Sequence, residues 1–148
     1  MGRVLTFTLK DCPKMDIRGI LCTEAASGYW NLSSYDYYCF PVFLYHTPRN
    51  RIDRITGNIS YLGVPEPLSY EDTTPIGEGI YVTNKVRTVC DMIRYEADMF
   101  HTLETIYNFY CFEDADEINI LENKAEKLGI LSKLHELRDI AEEDFEEL

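Results

Sequence analysis

The hydrophobic positions change their period at the middle of the chain. Up to Val82 they alternate with polar residues or run in short blocks between turn residues, the pattern of strands; after Thr83 they recur every three or four residues, the pattern of helices. The stretch Ile80 to Arg94 carries the switch. Thr83 has the chemistry of a helix N-cap, because its hydroxyl can accept from an unpaired amide of the first turn. Behind it Val86, Val89, Cys90, Ile93 and Ala97 mark one apolar face.

On the N-terminal side, residues 3–9 alternate as a strand that Asp11-Cys12-Pro13 ends. Thr23 is expected to cap a short helix carrying Ala25, Ala26, Tyr29 and Trp30. Its apolar neighbours mark Trp30 as a core anchor rather than a binding surface. Tyr37 to His46 is dense in aromatic and branched residues, which suits a strand covered on both faces with Pro41 near its start or at an edge. A strand and turn follow through Ile52, Ile55 and Gly57-Asn58, and Ile59 to Leu62 suggests another strand. Pro65, Pro67, Pro75, Gly77 and Gly79 predict a long loop, with Glu66, Glu71, Asp72 and Glu78 on the surface.

On the C-terminal side, Leu103, Ile106, Tyr107 and Tyr110 give helical spacing to Met99 through Phe112. Asp114 or Asp116 caps the next helix, which carries Ile118, Leu121, Ala125 and Leu128 and closes at Gly129. The last helix sets Ile130, Leu134, Leu137, Ala141, Phe145 and Leu148 in one stripe, the spacing of a core-facing side. These elements predict an α+β fold: a small, mostly antiparallel N-terminal sheet with one short helix, then a bundle of about four helices. At 148 residues the chain suits a single domain, sheet-rich over 1–82 and helical over 83–148.

Charge sharpens the picture. The formal net charge is −12, and residues 113–148 hold 13 acids against 4 bases, while residues 1–112 hold 13 acids against 10 bases. An acidic chain is poorly suited to neutralising phosphates, so direct nucleic-acid binding is not expected. A partner protein with a basic surface suits it better. The acids Glu142, Glu143, Asp144, Glu146 and Glu147 are the candidate contacts, and the basic cluster Arg49, Arg51 and Arg54 is either a solvated hairpin or a contact for an acidic partner or phosphate.

Five cysteines stand singly, without the close pairs that metal knuckles use, so reduced thiols and no zinc site on His46, His101 or His135 are expected. No apolar run approaches a membrane span, and the first residues lack a secretion signal, which points to a cytoplasmic protein without membrane contact. No cofactor is implied. Arg87 and Asp91 stand four apart and can pair, with Thr88 one residue round. No nucleophile or base accompanies them, so a role in fixing the sheet-to-helix junction is expected rather than catalysis.

Ile80-Tyr81-Val82-Thr83-Asn84-Lys85-Val86-Arg87-Thr88-Val89-Cys90-Asp91 resembles the Val-Thr then Glu-Arg-Thr-aliphatic-x-Asp pattern of the type IV toxin–antitoxin (abortive infection) antitoxin family. Val82, Thr83, Arg87, Thr88 and Asp91 match, and the pattern's glutamate is Val86 here. Gly19 to Leu32 is similar to the segment in which the family places a short helix, and the later helices through Ala125, Leu128, Gly129 and Leu137 share its layout. The resemblance covers roughly residues 16 to 138, without the family's N-terminal winged-helix DNA-binding domain. It implies an effector region that works by protein interaction, in a family whose toxins resemble nucleotidyltransferases. The expectation is a non-enzymatic, antitoxin-like inhibitor in toxin–antitoxin systems or in phage defence and counter-defence. Two alternatives stand beside it: a nucleic-acid mimic that blocks the channel of a defence nuclease, in the manner of an anti-CRISPR protein, and a transcription regulator acting through a separate DNA-binding partner.

Overall fold

The handover from sheet to helix falls at Thr83–Lys85 in the computed structural model, which describes residues 19–36, 42–45, 59–62, 72–77 and 80–146. Five strands among the described residues form one sheet: β1 (Gly19–Leu21), β2 (Val42–Tyr45), β3 (Ile59–Leu62), β4 (Thr73–Gly77) and β5 (Ile80–Thr83), in the order β3-β2-β1-β5-β4. The helices among the described residues are α1 (Thr23–Tyr29), α2 (Lys85–Arg94), α3 (Met99–Phe112), α4 (Ala115–Lys127) and α5 (Leu131–Glu146). The fold is α+β with a C-terminal helical bundle, as the change of period predicts. The expected strand over residues 3–9 and the turn through Ile52 and Ile55 lie outside the described residues.

The sheet is mixed rather than mostly antiparallel. β1 runs parallel to β5 with Leu21 opposite Val82, and β2 runs parallel to β3, while the β1–β2 and β4–β5 pairs are antiparallel. The long loop expected before Gly79 contains β4, which ends the strand order. Pro75 is tolerated there because an edge strand needs no ladder hydrogen bond on its outer side, and the register shifts between Pro75 and Gly77. Both expected hydroxyl caps are corrected. Cys22 occupies the N-cap of α1, with Thr23 inside the helix at φ +46°, and Asn84 occupies the N-cap of α2.

The bundle follows its stripes. Val89, Cys90, Leu103, Ile106, Phe109, Leu121, Ala125, Leu134, Leu137 and Ala141 form one buried cluster, with Trp30, Ile118, Leu128 and Phe145 packed at its margin. Burying a side chain such as Leu121 or Leu134 contributes roughly 2 kcal/mol. Asp98 caps α3 by accepting from the His101 amide at 3.0 Å, and Asp114 caps α4 by accepting from Glu117 at 2.9 Å. Gly129 closes α4 at φ +76°, a conformation open to glycine at little cost. Helix α1 packs on α2, α2 on α4, and α3 on α5. Among the described residues no helix is long and apolar enough to cross a membrane.

Candidate functional site

A buried polar network forms where β5 becomes α2. Thr88 Oγ1 donates to the Thr83 carbonyl at 3.1 Å and lies 2.6 Å from the Thr83 hydroxyl, so that hydroxyl is engaged away from the helix amides. Trp30 Nε1 donates to the same carbonyl at 2.7 Å and ties α1 to the strand end. The Asn84 amide donates to the Asp72 carbonyl at 2.8 Å, and Thr74 Oγ1 donates to Asn84 Oδ1 at 2.5 Å. The oxygen that would cap α2 is thus held by β4, which is why no side-chain cap forms.

One turn along, Arg87 Nε donates to Asp91 Oδ1 at 2.8 Å, with the side chains only 2% and 0% exposed. Arg87 Nη1 also reaches Asp72 Oδ2 at 3.3 Å, and Lys124 Nζ of α4 reaches Asp72 Oδ1 at 3.4 Å. Asp72 therefore joins the last turns of α4 to the first turns of α2. The expectation that Asp72 is a surface acid is corrected, since its side chain is 16% exposed. The β4–β5 register causes this: Thr73 pairs with Thr83, which sets Asp72 opposite Asn84 and within reach of Arg87.

Above this network opens a cleft of about 460 Å³, lined by Trp30, Val86 and Ile120 together with Asp72, Asn84, Lys85, Arg87, Glu113, Glu117 and Lys124. Its cations are already engaged. Lys85 Nζ lies 3.0 Å from Glu113 Oε2 and 5.8 Å from the centre of the Trp30 ring, while Arg87 and Lys124 share Asp72. A phosphate entering here would have to displace a carboxylate from each base, which argues against an anion site. Trp30 combines the two roles weighed for it, a core contact on one side and a cleft wall on the other.

The thiols are placed away from chemistry of this kind. Burial pushes the Cys22 pKa well up and raises that of Cys90 to about 12, so both remain protonated at neutral pH. Cys111 is exposed at the end of α3. Among the described residues no group of three or more His, Cys, Asp or Glu is arranged to hold a metal ion.

Of the acidic candidates, Glu142, Glu143, Asp144 and Glu146 lie on α5, and none of these four lines the cleft. Glu143, Asp144 and Glu146 are exposed, and Glu142 is partly buried, with its carboxylate 3.3 Å from Arg138 Nε. Glu147 and the cluster Arg49, Arg51 and Arg54 lie outside the described residues. Sequence reasoning also missed Glu24, a buried acid on α1 whose Oε2 accepts from the Asp98 amide at 3.0 Å and so anchors the start of α3. Its sequence neighbourhood carries no signal for this, because the partner is 74 positions away. No protein-family model matches the chain, and no curated protein matches it.

Proposed function

We propose that this chain is a non-enzymatic acidic protein that binds a basic surface of a partner protein and neutralises or inhibits it. The observation that carries the reading is the outward side of α5. Glu136, Asp139, Glu143, Asp144 and Glu146 are all exposed there, and residues 131–146 contain six acids against Lys133 and Arg138. Such a surface speeds and orients association with a basic partner, and its effect is weakened by salt. The resemblance of Val82, Thr83, Arg87, Thr88 and Asp91 to the antitoxin pattern supports the same class. Arg87, Thr88 and Asp91 are bonded within the fold, which favours a structural role for them over one in ligand chemistry.

The test is affinity capture from a lysate of the producing cells, followed by mass spectrometry, with Glu143→Lys/Asp144→Lys/Glu146→Lys in parallel. A basic protein should be retained by the natural chain at low salt, released as salt rises, and lost by the charge-reversed chain. Equal retention by both chains overturns the reading. Nucleic-acid mimicry is the second reading, favoured by one feature: Glu136, Asp139, Glu143 and Glu146 form a row of carboxylates rising about 5 Å from one to the next. It requires that DNA or RNA compete with this chain for the captured protein.

A further inference from the structure

Helix α3 carries Phe100, Tyr107 and Cys111 at intervals of seven and four, which sets them along one side of the helix. Phe100 is 55% exposed and its neighbour Met99 52%. Phe145 of α5 fills the gap between them: its ring centre lies 5.9 Å from that of Phe100 and 5.5 Å from that of Tyr107, on which it stacks. The Cys111 thiol one turn on, burial, and the Glu146 and Glu142 carboxylates together push the Tyr107 pKa up. Phe100 to Tyr107 thus spans an aromatic strip about 10 Å long, about two helical turns, with Cys111 one turn beyond. Carboxylates border it on the α5 side. Glu146 is exposed and makes no ion pair among the described residues.

Phe100 and Met99 are exposed with Tyr107 and Phe145 half-buried beside them, and an exposed apolar surface gains from being covered. A second copy of the chain is a poor cover, because it would bring the six acids of one α5 towards those of the other. The carboxylate border instead selects a cationic occupant.

We propose that this strip docks a basic amphipathic helix of a partner protein, its apolar side on Phe100, Tyr107 and Phe145 and its lysines or arginines against Glu142 and Glu146. The proposal rests on the reading of the chain as an acidic binding protein and assigns the contact surface within it. Aromatic burial supplies the affinity, while the carboxylates fix which way the helix lies.

The probe is a fluorescently labelled synthetic peptide of about 18 residues, five helical turns, with leucine and lysine at helical spacing. It is compared with a scrambled peptide of the same composition and with a leucine–glutamate peptide in the same pattern. Anisotropy titrations with the full chain should show binding of the patterned leucine–lysine peptide, weaker binding of the scrambled one and none of the acidic one. Phe100→Ser should weaken the patterned peptide by about tenfold or more. Asn123→Ser, at an exposed position on α4 that does not line the cleft, should leave binding unchanged. Met99→Ser provides a second variant at the same end of the strip, and melting temperatures confirm that each variant is folded. Equal binding of patterned and scrambled peptides, or no loss in either patch variant, overturns the proposal. So does a dimer in sedimentation that Phe100→Ser dissolves, since a second copy then covers the strip. If charge reversal on α5 abolishes capture of the partner while Phe100→Ser retains it, the docking strip fails and the acidic reading stands.

Discussion

Arg87 donates its Nε to Asp91 Oδ1 at 2.8 Å, one turn along the same helix, and neither side chain is open to solvent. An exposed pair at this spacing would contribute a few tenths of a kcal/mol. Burial changes the scale, because removing one partner leaves a guanidinium without its closest counter-charge in a medium that solvates it poorly. Asp91→Ala should therefore destabilise the fold by about 3–5 kcal/mol in chemical denaturation. The paired replacement Arg87→Met with Asp91→Leu should recover much of that loss, since two apolar side chains leave no stranded charge.

Glu122 gives the bundle a dependence on acid. Tyr110 donates to Glu122 Oε2 at 2.7 Å, and His135 Nε2 lies 3.2 Å from the same oxygen; the Tyr110 bond first, and the His135 bond after it, hold the carboxyl below its ordinary value of 4.5. A carboxyl depressed in the folded state contributes stability above its unfolded pKa and loses it as pH falls through the folded pKa. The melting temperature of the natural chain should thus fall more steeply below about pH 4.5 than that of Glu122→Gln. Parallel thermal scans from pH 7 to pH 3 give the comparison, and superimposable slopes refute it.

Gly28 lies in the last turn of α1, just before the chain folds back on itself. A Cβ at this position would stand 2.4 Å from the backbone oxygen of Tyr35, a contact that only backbone movement can relieve. The same return is fixed by Ser27 and Ser33, whose hydroxyl oxygens lie 2.6 Å apart, and by Glu104, which accepts from the Ser34 amide at 2.9 Å. Gly28→Ala should cost about 1–3 kcal/mol despite the better helix propensity of alanine. Urea titration measures it, and a stabilised variant would show that the return segment yields freely.

The helical half was legible because its signals are local. The Met99–Phe112 helix, the Asp114 cap and the Gly129 stop each depend on residues within a turn of one another. The features that escaped all depend on pairing across the chain. β4 is hidden by Pro75, which reads as a breaker until its edge position is known. Asp72 reads as a surface acid until the register with β5 sets it against Arg87. Thr83 looks like a cap until Thr88 competes for its hydroxyl. The aromatic strip follows the same rule, because spacing along α3 offers Phe100 and Tyr107, but only packing adds Phe145 between them.

The strand order carries a consequence for the time course of folding. Helices α2 to α5 follow one another without a break in the chain, so their contacts close short loops and can form early. The central pair β1 and β5 must instead bring Gly19 to Ile80 across about sixty residues, a slower search that sets the overall rate. Trp30, the single tryptophan, binds the Thr83 carbonyl at the end of β5, so its indole reaches its final environment only when that search succeeds. Its fluorescence therefore reports the closure of the β1–β5 pair, while circular dichroism reports the helices.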